Sequence, residues 1–195
     1  MSLSSDRQLR MTIMQGEARA SADERVIMST VVGSCVATCL YDPIARVGGM
    51  NHYLLAKPLD DSITCSDGSY GLFLMELLVN EMLKLGADKR RTKARLYGGA
   101  NMASGLGHTG YDNAAFARQF LSDESIQTVF EDLGGNFARR IEFSPVNGLV
   151  RARKVEADYS PPVTPINPIR ANPRVGSQGQ LGDVDLFWRN QKSTQ

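Results

Sequence analysis

The sequence predicts an α+β fold in which a mostly antiparallel sheet is covered by two helices. Segments with alternating apolar and polar residues outnumber segments with helical spacing, which occur at about 70–85 and 112–122. Turn signals separate several consecutive strands, as they do in β-hairpins. Strands and helices do not alternate regularly, so a doubly wound parallel sheet is not expected.

The chain begins with two predicted strands. Residues 1–8 are polar and are predicted to form a flexible N-terminus. Residues 9–14 alternate well enough for a first strand, which a Gln-Gly pair closes. The polar stretch 17–24 then leads to a second β-prone segment at 25–28, which delivers the chain to a glycine-bounded bend.

A central hairpin is predicted to bring a cysteine and a histidine together. Residues 36–42 and 48–56 have the pattern of two strands joined by a turn near Pro43. Cys35 and His52 are equidistant from the centre of that turn, and opposite residues of an antiparallel pair contact each other. The sequence therefore predicts that Cys35 lies opposite His52. A slip of one residue would move one of the two side chains to the other face.

Two segments have the spacing of amphipathic helices. The first begins near Tyr70, with Asp67 or Ser69 as its N-cap and Gly86 as a left-handed C-cap. Its predicted apolar face consists of Leu74, Leu77, Leu78, Met82 and Leu85. The second helix covers about 112–122, and its predicted apolar face consists of Ala115, Phe116, Phe120 and Leu121. Both faces are expected to pack on the sheet.

Further strands complete the predicted sheet. A short strand at 94–97 runs into the pair Gly98–Gly99, which allows the backbone to approach another group closely. Residues 126–130 form the next strand. Segments 140–143 and 149–155 form a hairpin, because the Asn-Gly pair between them is a strong turn signal.

Length and composition indicate one globular domain with a tail. The 195 residues include 22 basic and 21 acidic side chains, a net charge of +1, which does not indicate a nucleic-acid or membrane-surface partner. Residues 9–155 are predicted to form the domain. The proline-rich segment 156–195 is predicted to be a flexible tail. Its residues 182–188 are either a docking segment or a part of the tail without a role, and both alternatives stay open. Three cysteines without framework spacing, and no long apolar segment, predict a cytoplasmic protein.

Cys35 has the sequence surroundings of a nucleophile. Thiolate is the reactive form of cysteine, and Gly33 lets the chain bend so that nearby backbone amides can stabilise an oxyanion. His52 is the candidate base. A hydroxyl at Ser29 or Thr30, or a main-chain carbonyl, is the candidate group that fixes its tautomer.

Other interpretations of these residues remain open. A cysteine in an apolar strand is more often a small buried hydrophobic residue, which is the simplest interpretation of Cys39. A zinc site of Cys35, Cys39 and His52 lacks finger-like spacing and a fourth ligand, so no metal or cofactor is expected. His108 is expected to be an exposed loop residue. The glycine-rich loops lack the lysine of a phosphate-binding loop.

Five motifs in order resemble the CheD family of chemoreceptor glutamine deamidases: GSCVATCLYDP, GGMNHYLL with His52 seventeen positions after Cys35, YGGANM, EDLGGNFARRIEF and NGLVRARKV. The resemblance covers residues 11–155. The tail segment GDVDLF is similar to a terminal segment of some proteobacterial members. The resemblance implies an α/β/β layered fold similar to that of cytotoxic necrotizing factor deamidases.

The resemblance also implies a catalytic set and a reaction. It assigns the nucleophile to Cys35 and the base to His52. The family's threonine, six positions before the cysteine, corresponds to Ser29, with Thr30 as the alternative third member. The implied reaction is hydrolysis of a receptor glutamine to glutamate through a Cys35 thioester, with a methylesterase side activity. Substrate contacts are expected at Gly33, Ser34, Gly98, Gly99 and Asn101.

The implied partner is the cytoplasmic helical bundle of a chemoreceptor, bound in an open groove near the loops 61–69 and 98–101. A CheC-type phosphatase is a second implied partner, and the chain is expected to be monomeric alone. Two rival functions stay open at this point. One is a cysteine amidase or peptidase with another substrate, and the other is a partner-binding or regulatory chemotaxis module with little catalysis.

Overall fold

A computed structural model describes residues 7–55, 67–101 and 109–155. Several predictions fall outside these residues: the start of the flexible N-terminus, most of the loop 61–69 expected beside the groove, the loop residue His108, and the tail with its segment at 182–188.

The described residues form strands, two α-helices and a short 3-10 helix. The strands are β1 (Leu9–Thr12), β2 (Glu17–Ser21), β3 (Val26–Val32), β4 (Val36–Asp42), β5 (Val47–Tyr53), β6 (Lys93–Gly98), β7 (Gln127–Leu133), β8 (Ala138–Ser144) and β9 (Leu149–Val155). The helices are α1 (Asp67–Lys84) and α2 (Thr109–Asp123), and the 3-10 helix covers Lys89–Arg91. Neither α-helix has the length and apolar content that a membrane span needs, within the part of the chain described.

The strands form two sheets. One has the order β1-β3-β8-β9 and the other the order β2-β5-β4-β6-β7. Pairing is antiparallel except between β1 and β3 and between β6 and β7. The predicted α+β class with mostly antiparallel strands is therefore confirmed.

Two apolar cores separate three layers. The first core lies between the five-stranded sheet and the helices, and the second lies between the two sheets. Strand β4 contributes to both, because alternate residues point to opposite faces. Val36 and Leu40 belong to the helix-side core, and Ala37 and Cys39 to the core between the sheets. The prediction that Cys39 is a buried core residue is confirmed.

Both predicted helices are present, with corrections to their faces. Gly86 follows α1 with φ +95° and its amide donates to Leu83, as a left-handed cap requires. Leu85 lies beyond the helix end and is exposed, so its assignment to the apolar face was wrong. In α2, Ala115 is exposed, whereas Ala114 and Ala117 face the core.

The predicted register of the central hairpin is wrong by two residues. His52 pairs with Ala37 rather than with Cys35, and the strands meet at Asp42 and Val47. The turn therefore has four residues, 43–46. The Asp42 carboxylate accepts the amides of residues 44 and 45, and residue 46 has φ +56°. A shift of two residues keeps every side chain on its predicted face.

Strand β2 was missed, because its sequence EARAS reads as a polar connection. It pairs with β5 at the edge of the five-stranded sheet. Ala18 is its buried residue, and a single small apolar side chain gives a weak alternation signal.

Candidate active site

Thr30 and His52 meet between the two sheets. Thr30 lies on β3 of the four-stranded sheet, and His52 lies on β5 of the five-stranded sheet. Oγ1 of Thr30 is 2.9 Å from Nδ1 of His52 and 2.8 Å from the carbonyl oxygen of Ile13. Both residues are buried, with 5% of Thr30 and 7% of His52 exposed. A buried contact between the sheets thus holds the imidazole.

This contact determines which nitrogen of His52 carries the proton. A threonine hydroxyl has one proton to donate, and here it donates to the carbonyl of Ile13. The hydroxyl therefore accepts a hydrogen bond from Nδ1–H of His52. Nε2 keeps its lone pair, and it is buried without a hydrogen-bond partner among the described residues. For Nε2 to act as a general base it must keep its lone pair, and this tautomer meets that requirement.

Burial keeps both reactive side chains neutral. It lowers the pKa of His52 to about 4, although the Ile13 carbonyl acts in the opposite direction. Burial also raises the pKa of Cys35 to about 11, against a smaller effect of its own backbone amide. Between these two values the site holds a thiol and a neutral imidazole. Any attack by the sulfur would therefore require proton transfer from the thiol.

Ser29 lies on the other face of β3. It pairs with Thr12 on one side and with Glu142 on the other, and successive residues of a strand point to opposite faces. Thr30 is buried, whereas Ser29 is partly exposed. The structure therefore brings Thr30, and not Ser29, to His52.

Cys35 lies diagonally across the hairpin from His52. Ala37 is opposite His52, and Cys35 comes two residues earlier, just before β4 begins. Diagonal neighbours on one face are about 7–8 Å apart, within reach of longer side chains. Cys35 packs against the core between the sheets, on the side where His52 lies. Since Nε2 of His52 has no hydrogen-bond partner among the described residues, it is not bonded to the thiol in this state.

The bend formed by residues 33–35 is held by its three carbonyl groups. The first and third accept 2.8 Å hydrogen bonds from the amides of Ala100 and Gly99. The second accepts a 2.8 Å hydrogen bond from Nδ2 of Asn113. The described peptide bonds are trans, so each N–H points away from the C=O of the same peptide group. The amides of Ser34 and Cys35 therefore point away from these hydrogen bonds, as donors to an oxyanion would.

Asn113 joins the bend to the end of β5. Its Nδ2 donates to the carbonyl of Ser34, and its Oδ1 accepts a 2.7 Å hydrogen bond from the amide of Leu55. Its own carbonyl accepts a 2.8 Å hydrogen bond from Oη of Tyr53. The residue is fully buried. One side chain of α2 thus fixes the bend relative to the strand that carries the histidine.

The glycine pair after β6 packs on the backbone of the bend. Gly98 has φ +111°, and a Cβ at this position would collide with the carbonyl oxygen of Cys35. Gly99 donates its amide to the same carbonyl. Asn101 is exposed, and its amide donates to Gly135. Of the predicted substrate contacts, the two glycines are thus placed against the backbone of Cys35, the predicted nucleophile.

The thiol of Cys35 contacts Gln15. Sγ donates to Oε1 of Gln15 over 3.6 Å. Gln15 lies in the connection between β1 and β2, where the next residue, Gly16, donates its amide to the carbonyl of His52 at 2.7 Å. Cys35 is half-buried and Gln15 is exposed. Gln15 therefore extends the site toward solvent.

Sequence reasoning missed Asn113 and Gln15 as site residues. Asn113 has a signal in the sequence, because it lies four residues before Ala117 on the buried face of α2, where a polar side chain requires a partner. Gln15 has no such signal. Its contact arises only when the connection between β1 and β2 folds against the bend.

The chain is similar to proteins of one family. The model of the family CheD, described as CheD chemotactic sensory transduction, matches residues 54–154. A probable chemoreceptor glutamine deamidase CheD of Zymomonas mobilis is 54% identical over 148 residues, which cover 75% of this chain and 81% of that protein. A protein of the same description from Caulobacter vibrioides is 43% identical over 187 residues, which cover 93% of this chain and 95% of that protein.

Two further comparisons, one with a relative and one with a solved structure, differ in their sequence identity to this chain. A protein of the same description from Cereibacter sphaeroides is 43% identical over 178 residues, covering 91% of this chain and 85% of that protein. A solved structure of a Neisseria meningitidis protein of family DUF152 has a TM-score of 0.44 and 12% identity, over 66% of this chain and 64% of that one. The identity to the relatives and their nearly complete coverage decide the assignment, and the chain belongs to the CheD family.

Proposed function

We propose that the chain hydrolyses glutamine side chains of chemoreceptors to glutamate. The names of its relatives support this substrate, since they describe chemoreceptor glutamine deamidases. One observation supports the chemistry above all others. Thr30 holds His52 in the tautomer that leaves the Nε2 lone pair unpartnered, on the side of the sheet where Cys35 lies.

The first half of the reaction forms a thioester. Nε2 of His52 takes the proton of the Cys35 thiol as the sulfur attacks the amide carbon of the substrate glutamine. The amides of Ser34 and Cys35 donate to the oxyanion of the tetrahedral intermediate. The C–N bond then breaks, and the nitrogen leaves as ammonia with the proton that His52 carries.

The second half hydrolyses the thioester. His52 removes a proton from a water molecule as the oxygen attacks the thioester carbon. The C–S bond breaks, the proton returns to sulfur, and glutamate is released. A glutamyl methyl ester would form the same thioester with loss of methanol, so a methylesterase side activity belongs to the proposal.

In this mechanism Thr30 is the third member of the set. Its hydroxyl orients the imidazole and fixes the proton on Nδ1 throughout the cycle. Ser29 occupies the sequence position that the family resemblance indicated, but its place on the other face of β3 supports no contact with His52.

The proposed substrate places the reaction in the cytoplasm, on the helical bundle of a receptor's signalling region. A monomer that also binds a CheC-type phosphatase belongs to the same proposal and follows from the family resemblance. A partner-binding module without catalysis would need neither the buried Thr30–His52 contact nor a thiol beside it. These features favour the enzymatic function.

Mass spectrometry of a receptor fragment tests the proposal. After incubation with the full chain, glutamine residues should gain the mass of an amide-to-acid exchange without cleavage of the fragment. Cleavage would identify a peptidase instead. The Cys35→Ala variant should bind the fragment and leave its glutamines unchanged, whereas continued conversion by this variant would show that Cys35 is not the nucleophile.

A pair of variants tests the third member. Thr30→Val keeps the side-chain shape but removes the hydroxyl, and kcat should fall by about 10²–10⁴-fold because the tautomer is no longer fixed. Thr30→Ser should restore most of the activity. Ser29→Ala is the matched control and should stay within about two-fold of the original kcat. The opposite ranking of Thr30→Val and Ser29→Ala would transfer the role to Ser29.

A further inference from the structure

Gln15 contacts the sulfur of Cys35 and has no part in the mechanism above. Its Oε1 accepts the S–H hydrogen over 3.6 Å, and its side chain is exposed. A glutamine amide has an acceptor oxygen and a nitrogen with two N–H donors. Rotation of the amide by half a turn exchanges the two ends. The same side chain can thus accept from a thiol and donate to a thiolate.

The backbone on both sides of Gln15 is tied to the proposed catalytic set. Two residues earlier, the carbonyl of Ile13 accepts the hydroxyl of Thr30. One residue later, the amide of Gly16 donates to the carbonyl of His52 at 2.7 Å, and its carbonyl accepts from Oη of Tyr70 at 3.4 Å. Gln15 is therefore held at a fixed place beside the site, although its side chain reaches solvent.

Within the described ranges, no charged side chain contributes to the pKa of Cys35. Burial raises the pKa of Cys35 and lowers that of His52, so moving the proton from sulfur to nitrogen creates two charges that the surroundings disfavour. A neutral hydrogen-bond donor at the sulfur offsets part of this cost, because hydrogen bonds to charged groups are stronger than those between neutral groups. Among the described residues, the side chain of Gln15 forms a hydrogen bond with the sulfur.

We infer that Gln15 is a further catalytic residue, whose side-chain amide turns and donates from Nε2 to the Cys35 sulfur as the thiol proton moves to His52. This inference rests on the proposed deamidation and adds a residue to its site. No covalent bond of Gln15 changes, and its amide stays neutral.

Two variants at this exposed position separate donation from contact. Gln15→Glu keeps the size and an acceptor oxygen but loses the donor and adds a negative charge next to the sulfur. Gln15→Met keeps the length and loses both polar groups. Gln127→Glu, which changes an exposed glutamine of β7 in the same way, is the matched control.

The first measurement is the pH dependence of iodoacetamide alkylation, followed on the peptide that contains Cys35. The second is the determination of kcat and KM on a receptor fragment. Gln15→Glu should move the alkylation profile to higher pH by about one unit or more. Both Gln15 variants should lower kcat by about 10- to 100-fold with KM changed less than about three-fold. Gln127→Glu should match the unmodified protein in both assays.

Three results would overturn the inference. The first is an unchanged alkylation profile and kcat in both Gln15 variants. The second is an equal fall of kcat in Gln127→Glu. The third is Cys35-dependent conversion of Gln15 to glutamate in the unmodified protein, because Gln15 would then be a substrate. If the alkylation profile moves as expected but the unmodified protein converts no receptor glutamine, the proposed function fails while the contact with sulfur stands.

Discussion

Replacing Asn113 should disturb the bend that carries Cys35, the proposed nucleophile, and should also lower the stability of the fold. The side chain is fully buried and makes two hydrogen bonds, from Nδ2 to the carbonyl of Ser34 at 2.8 Å and from the amide of Leu55 to Oδ1 at 2.7 Å. Asn113→Leu removes both and leaves the part-buried carbonyl of Ser34 and the part-buried amide of Leu55 unpaired. Each unpaired group costs about 1–3 kcal/mol, so the free energy of unfolding should fall by roughly 2–6 kcal/mol.

Asn113→Asp distinguishes the two hydrogen bonds. A carboxylate still accepts from Leu55 but cannot donate to Ser34, so it places a negative oxygen against a carbonyl beside the nucleophile. We expect kcat to fall by at least about ten-fold, because small displacements of a nucleophile cost large factors in rate. The control is Ala115→Asp, an exposed carboxylate two residues further along α2.

Thermal unfolding and receptor deamidation are measured on the three variants. Asn113→Leu should lower Tm by roughly 5–15 °C, whereas Ala115→Asp should leave both Tm and kcat close to those of the unmodified protein. The reasoning would be refuted if Asn113→Asp kept kcat within two-fold while losing stability. Asn113 would then support the helix and not the bend.

Three further predictions follow from the same geometry. Gly98→Ala should abolish most deamidation and lower the free energy of unfolding by at least about 2–4 kcal/mol, because its Cβ would collide with the Cys35 carbonyl. Gly134→Ala, at φ +80° with open space around it, should lower this free energy by only about 1–2 kcal/mol. Urea unfolding measures both values. Because the pKa of His52 is lowered to about 4 in the folded state, the unfolded state binds more protons between pH 4 and 6.5. The free energy of unfolding should therefore rise with pH through this window, by about 3 kcal/mol in total, and His52→Gln should flatten the rise. With the Cys35 pKa near 11, its alkylation rate should keep increasing above pH 9, and a plateau near neutral pH would instead indicate a thiolate–imidazolium pair.

The central hairpin shows which parts of a site can be predicted from sequence. The sequences of residues 36–42 and 48–56 predict two strands, and the Pro-containing turn between them predicts that they pair. The register depends on how the turn is closed, and here the Asp42 carboxylate caps a four-residue turn. Counting outward from the turn therefore placed Cys35 opposite His52, two residues from the observed pairing, but on the correct face.

The sequence patterns could not predict which residues meet between the two sheets. Strands β3 and β4 are neighbours along the chain, yet they belong to different sheets, and β3 pairs with the distant β8. No local pattern signals this division. It decides whether Thr30 or Ser29 faces His52, because a strand has two faces and only the packing of the sheets selects the inner one. A hydroxyl near the histidine could be predicted, but the residue that supplies it could not.

The two sheets contribute differently to the site: one holds Cys35 and His52, and the other supplies the hydroxyl that orients the imidazole. His52 lies in the five-stranded sheet, and the bend with Cys35 is anchored to groups on the same side: the amides after β6 and the Asn113 side chain of α2. The proposed nucleophile and the proposed base are therefore fixed to the same side of the molecule. Thr30 comes from the other sheet, and its hydroxyl is hydrogen-bonded to the imidazole and to the Ile13 carbonyl. Its loss should release the tautomer of His52 without moving the sulfur, so the Thr30 and Asn113 variants should weaken catalysis through different steps, the first through proton transfer and the second through attack.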